Sequence, residues 1–342
     1  MTSINQTSIW IKNPLAIFAE NSDGGVVIKG QKIIELVPLG GSPVSSFDEI
    51  YDASDSVVLP GLINTHHHFY QTLTRAYPEA LNKELFPWLK SLYKVWAHIQ
   101  PEMLAVSTEL ALSELLLSGC TTASDHHYLF PSQLENAIDI QAEEAQKLGM
   151  RVVLTRGSMS LGEKDGGLPP QSVVQTKEQI LSDSERLIKT YHDSQEGAMT
   201  QIALAPCSPF SVTTDLMIET ANLAQQYDVR LHTHLAETID EENFCLEKFG
   251  LRTVDYLESV GWLSNRTWLA HGIHFNKEEI KKLGRSGVGI CHCPSSNMML
   301  ASGICHSLEL EEAGSIIGLG VDGSASNDGS NMISELRQAM DL

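Results

Sequence analysis

His66 and His68 stand one residue apart, and if the chain there is extended both side chains point to the same face. Two imidazoles that reach one point are metal-binding chemistry. His234 ends the apolar run 229–235 and Asp322 ends the run 316–322, so each offers a ligand at the end of an apolar segment. Three neutral imidazoles and one carboxylate suit a single divalent first-row ion, with zinc the default and iron or manganese the alternatives. His67 and His232, each taken alone, read as hydrogen-bonded core side chains. Cys291-His292-Cys293 resembles half of a metal clip, but no second half exists elsewhere, and it reads as a strand end followed by a turn.

The elements that must position these residues follow from the hydrophobic pattern. Eight apolar runs of strand length begin near residues 62, 121, 151, 202, 229, 267, 288 and 316, and helical stretches such as 102–117 and 134–148 lie between them. Alternating runs of this kind describe an α/β chain and a parallel (β/α)8 barrel of the TIM type. His66, His68, Asp125, His127, Arg156, His234, His271 and Asp322 fall at or near the C-terminal ends of those runs. In such a barrel these ends converge on one mouth, where the active site is found. Residues 1–60 read differently, as short strands with turn chemistry at 21–25 and a further strand at 52–59. Two domains are therefore expected: a partial β-sandwich over 1–60 and the barrel over 61–342.

Five ordered motifs carry a resemblance to the amidohydrolase superfamily, in its mononuclear aminohydrolase branch. They are Pro60-Gly61-Leu62-Ile63-Asn64-Thr65-His66-His67-His68, His234-Leu235-Ala236-Glu237-Thr238, Ala270-His271-Gly272, Cys293-Pro294-Ser295-Ser296-Asn297 and 320–327 around Asp322. The resemblance implies that His66, His68, His234 and Asp322 ligate the metal. It also implies that Glu237 shuttles protons with Asp322 and that His271 touches the attacking water or the substrate. Binuclear members carry a carboxylated lysine at the end of strand four. The run 201–207 has none, which implies one metal and deamination of a ring C–N bond. Cytidine-deaminase chemistry is excluded, because Pro206-Cys207 is not followed by a second Cys at the required spacing.

The pocket is expected to take a guanine-like base. His68-Phe69-Tyr70-Gln71 is similar to a guanine-deaminase segment whose glutamine reads the base edge, and an amide offers the donor and acceptor that a purine carbonyl and ring N–H require. Guanine deaminases have Pro-Arg-Phe where this chain has Pro206-Cys207-Ser208-Pro209-Phe210, which leaves room at the imidazole side of the ring. The runs 66–76, 125–130 and 155–160 resemble the 8-oxoguanine deaminases. That resemblance implies hydrolysis of 8-oxoguanine to urate and ammonia with Cys207 near the 8-oxo group. Guanine, isocytosine or triazine rings are the alternatives, and a non-enzymatic scaffold barrel is the alternative outside enzymes. Trp88 and Trp96 either stack on a base or pack a loop helix onto the barrel, with Trp96 carried as the substrate-binding candidate. Arg156 either holds a ligand carbonyl or makes a structural ion pair with Asp125 or another carboxylate.

A formal charge of −20 opposes a nucleic-acid polymer as partner and suits a small, purine-like molecule. The first ten residues lack the pattern of a signal peptide, no apolar run reaches membrane-span length, and six scattered cysteines fit reduced thiols. A cytoplasmic protein is expected. In the family a returning C-terminal segment completes the sandwich, and it is not seen after the expected helix 331–342: either the chain is truncated or another chain covers the open strands, and a homo-oligomer is expected.

Overall fold

In the computed structural model, which describes residues 7–342, the eight apolar runs form eight parallel strands. They are β1 (Leu62–Asn64), β2 (Cys120–His127), β3 (Arg151–Ser158), β4 (Thr200–Pro206), β5 (Leu231–Leu235), β6 (Thr267–His271), β7 (Gly289–His292) and β8 (Ile317–Leu319). Neighbours in sequence are neighbours in the sheet from β1 through β8. The ring closes where Thr65 N donates to Leu319 O at 2.9 Å and Asp322 N donates to His66 O at 3.1 Å. The architecture is a (β/α)8 barrel, because parallel neighbours need long crossovers and helices supply them.

Local chemistry sets the ends of those helices. Thr176 and Gln179 form a reciprocal capping box at the start of helix Lys177–Tyr191, and Asn276 with Glu279 does the same for helix Lys277–Arg285. Helix Ala137–Leu148 stops at Gly149, whose φ of 68° is the left-handed geometry that glycine adopts without a Cβ clash. The expected C-terminal helix runs Met332–Asp341. Among the described residues, no helix is long and apolar enough to cross a membrane.

The chain divides into two compact units, one of residues 62–194 and 198–342, the other of residues up to Gly61 with 195–197. The smaller unit holds a four-stranded sheet in the order Lys32–Val37, Gly25–Lys29, Ser8–Lys12, Glu49–Asp52. The first two pairings are antiparallel and the last is parallel. Trp10, Val27 and Val37 form its buried core, with Phe47 against Trp10 at 5.4 Å between ring centroids. The strand expected over 52–59 is instead the end of Glu49–Asp52, then a turn, then a two-residue strand Val57–Val58 paired with Ala16–Ile17. Ser56 N bonding back to Ala53 O makes that turn.

Candidate active site

Four buried ligand atoms converge where β1, β5 and β8 end. Asp322 Oδ1 lies 3.4 Å from His66 Nε2 and 3.2 Å from His68 Nε2, and His234 Nε2 lies 3.2 Å from His68 Nε2. Atoms bound at about 2.0–2.1 Å around a tetrahedral zinc stand about 3.3 Å apart, so this spacing fits one ion. The donor set fits as well. His66 Nε2 is fully buried with no hydrogen-bond partner, which is costly unless something takes its lone pair. His68 Nδ1 faces the His126 carbonyl at 2.7 Å and His234 Nδ1 faces the Cys207 carbonyl at 2.6 Å. A carbonyl only accepts, so both Nδ1 atoms carry hydrogen and both Nε2 lone pairs face the centre. His271 joins from the end of β6, its Nε2 3.9 Å from Asp322 Oδ2 and its Nδ1 2.9 Å from Asn297 Oδ1.

Asp322 is fixed by donors on every side. Ser296 Oγ donates to Oδ2 at 2.5 Å and Gly323 N donates to Oδ1 at 2.7 Å. Burial alone would raise its pKa, but in the metal-free chain an imidazole proton on His66 or His68 facing the carboxylate outweighs that and holds it well below the usual carboxylate range. Asp322 therefore stays an anion, as a cation site requires.

Glu237 is the second carboxylate of the mouth. Its Oε2 lies 3.4 Å from His271 Nε2, and its Oε1 accepts from Ser302 Oγ at 3.3 Å. Burial raises its pKa against the opposing pull of His271, which brings it toward the range where a carboxyl both takes and gives a proton. The backbone is strained to present these groups. Ala236, His271 and Asp322 have φ of 53°, 72° and 59°, left-handed values that cost a residue with a Cβ about 1–3 kcal/mol and persist because the surroundings enforce them. Each sits in the turn that leaves a strand, and the turn at Ala236 is what separates Glu237 from the line of β5.

Above the ion site lies a cavity whose floor is His68, His234, His271 and Asp322 and whose edge carries Glu237. Gln71, Cys207, Trp88, Tyr128 and Phe210 complete the wall. The Gln71 amide is buried with Oε1 unpartnered, so it has hydrogen-bonding capacity to offer a ligand. Burial pushes the Cys207 thiol up to about 12, and it stays a neutral S–H.

Residues 57–342 match the model of the amidohydrolase family. The chain belongs to that family. It is 67% identical over 336 residues to an 8-oxoguanine deaminase of Pseudomonas aeruginosa, covering 97% of this chain and 75% of that protein. It is 36% identical over 293 residues to an isoxanthopterin deaminase from an unknown prokaryotic organism, covering 84% of this chain and 61% of that protein. Among solved structures, an atrazine chlorohydrolase of Arthrobacter aurescens TC1 complexed with zinc is similar with a TM-score of 0.90 at 32% identity, over 97% of this chain and 75% of that one.

Not every residue expected at the mouth of this amidohydrolase barrel is there. Arg156 is buried away from the cavity, with Nε on Asp183 at 2.7 Å, Nη2 on Gln175 at 2.8 Å and Nη1 on its neighbour's carbonyl. Its guanidinium lies 3.7 Å over the Phe130 ring. Of its two readings the structural ion pair holds, with Asp183 rather than Asp125 as partner. Asp125 accepts from Phe69 N and Gln141 Nε2, and His127 faces the Leu129 carbonyl. The cause is strand parity: His127 pairs with Arg156 across β2 and β3, so both point outward, and His126 is the residue that enters the barrel. His126 stacks on His234 at 4.6 Å between ring centroids. Trp96 does not line the cavity; its indole N–H donates to Thr74 Oγ1 and its ring packs on Tyr70 and Trp88. Trp88 takes the wall position. Tyr128 falls within the run 125–130 that carries the resemblance but is not marked as a site residue by its type, and Ser302 has no sequence signal; both lie on loops that only the fold brings to the mouth.

Proposed function

We propose that this amidohydrolase hydrolyses 8-oxoguanine to urate and ammonia, using one zinc ion held by His66, His68, His234 and Asp322. The 67% identity to an 8-oxoguanine deaminase over nearly the whole chain carries this reading. The cavity supports it independently, with a neutral Cys207 thiol and no arginine in its wall. When bound, the ion supplies the Lewis acidity that makes hydroxide available from water near neutral pH.

The remaining work falls to side chains. Glu237 takes the proton from the attacking water and passes it to the ring nitrogen as the C–O bond forms at the amino-bearing carbon. The second proton comes from the newly attached hydroxyl and goes to the exocyclic nitrogen; the C–N bond breaks, the carbonyl forms and ammonia leaves. Asp322 shares the proton traffic, and His271, held by Asn297, orients the nucleophile. The Gln71 amide pairs with the base edge, Cys207 stands against the 8-oxo group, and Trp88 packs on the ring. The enzyme is taken to work in the cytoplasm as a homo-oligomer; six free cysteines and the exposed Ile50 and Tyr51 on an edge strand of the N-terminal sheet support this.

The test is release of ammonia or amine by the zinc-loaded protein from 8-oxoguanine, guanine, isocytosine and hydroxyatrazine. A clear preference for 8-oxoguanine is expected. A guanine rate equal to or above it would overturn the substrate while leaving the family standing. A second prediction concerns Gly323. A Cβ there would overlap Oε1 and Cδ of Gln71, the far end of a buried side chain that lines the cavity, so the amide must shift into that space and Gly323→Ala should still fold. Loss of one neutral hydrogen bond should raise KM by about 2- to 10-fold, with kcat falling less. Steady-state kinetics beside thermal unfolding checks this, and an unchanged KM would remove Gln71 from the substrate.

A further inference from the structure

Of the four histidines around the ion site, three have Nδ1 fixed by an oxygen that can only accept, two backbone carbonyls and the Asn297 amide. His66 differs. Its Nδ1 lies 2.8 Å from Nε2 of another histidine, His232 on β5, and an imidazole nitrogen either donates or accepts. The direction is settled one step further out. His232 Nδ1 lies 2.8 Å from the Trp268 carbonyl on β6, so that nitrogen carries hydrogen. In a neutral ring Nε2 is then the acceptor, His66 Nδ1 is the donor, and the His66 Nε2 lone pair is left facing Asp322.

The surroundings hold this chain of bonds in place. The Trp268 ring stacks on His232 with centroids 4.3 Å apart and planes 15° from parallel. Its indole N–H donates at 3.1 Å to the carbonyl of Thr65, the residue before His66. Trp268 thus grips both ends of the relay. A second ion among His66, His126 and His232 is excluded by the same geometry: a 2.8 Å separation holds a hydrogen, whereas two nitrogens on one zinc stand about 3.3 Å apart.

We infer that His232 is a positioning residue for the ion site: it fixes the tautomer and ring orientation of His66 and so sets the affinity for zinc. The inference rests on His66 being a ligand. Partners of this type typically contribute 10- to 100-fold in metal affinity. In chelator competition with zinc alone, His232→Phe, which keeps the ring over Trp268 but cannot accept, should bind about 10- to 100-fold more weakly than the parent. His232→Gln keeps an acceptor oxygen and should stay within about threefold.

Wild-type affinity in His232→Phe, or equal losses in both variants, would overturn the inference. A parent protein that binds no zinc would instead overturn the ligand reading itself. Should His232→Phe not fold, nitrogen-15 spectra of histidine-labelled, metal-free parent protein decide the question, with His66 and His232 assigned from their substitution variants. Hydrogen on Nδ1 of both rings is expected, and hydrogen on Nε2 of His66 would end the proposal.

Discussion

Glu237→Gln is expected to lower turnover by roughly 10²–10⁴-fold while the protein keeps its full metal content. The amide has nearly the shape of the carboxylate and still offers Ser302 an oxygen at the position of Oε1. What it lacks is the ability to take a proton and give it back. Glu237 is not among the four converging ligand atoms, so the ion site should not notice the change. Burial makes the effect larger than at an exposed site. Glu237 is 3% exposed, and little bulk water is available to replace it as a proton carrier. Ammonia release and elemental analysis on the same preparation check both halves. Turnover within tenfold of the parent would remove Glu237 from the proton path. Loss of metal would make it a ligand or the ligand's support.

The parts of this site that can be read without a structure are those where residue type and strand end coincide. His66, His68, His234 and Asp322 each close an apolar run, and a parallel barrel brings such ends together whatever the details of packing. Parity is different. Asp125, His126 and His127 follow one another on β2, and only the stagger of the closed sheet decides that His126 enters the barrel. A one-residue shift exchanges the faces, and the sequence 120–124, small on both faces and followed by polar residues on both, does not fix it. Arg156 has the same origin, since its partner Asp183 lies on a helix whose rotation is set by packing.

Trp88 and Trp96 illustrate a second limit. They are eight residues apart on helix Leu85–Trp96, about 12 Å along its axis and within about 80° around it. Periodicity therefore gives both the same buried face. How far the helix reaches over the mouth selects Trp88 for the wall and leaves Trp96 to pack beneath it, and that is a tertiary fact. The strained turn at Ala236 is likewise invisible to propensity, because alanine is not a residue type that favours the left-handed region.

Stripping the ion is expected to abolish activity and to lower thermal stability, and zinc should restore both. Without a cation, the buried lone pairs of His66, His68 and His234 crowd an anionic Asp322 with nothing to join them. Protonation of one imidazole is the available substitute: burial opposes it at His66, which is pushed down to about 4, whereas at His68 the Asp322 carboxylate outweighs burial and raises the pKa, so one proton only partly replaces the ion. The folded state alone presents the four ligands together, so zinc at 100 times its Kd adds about 2.7 kcal/mol to stability. Asp322→Asn separates charge from shape. The amide oxygen can still accept from Gly323 N while its NH2 donates to Ser296 Oγ, but it brings no negative charge to the three neutral imidazoles. That variant should fold, fail to retain zinc through dialysis and show no rise in melting temperature when zinc is added. Calorimetry with and without zinc on the parent and on Asp322→Asn is the measurement. A chelated parent that keeps full turnover would sink the metal-dependent mechanism, and a zinc-induced rise in Asp322→Asn equal to the parent's would place the ion on other ligands.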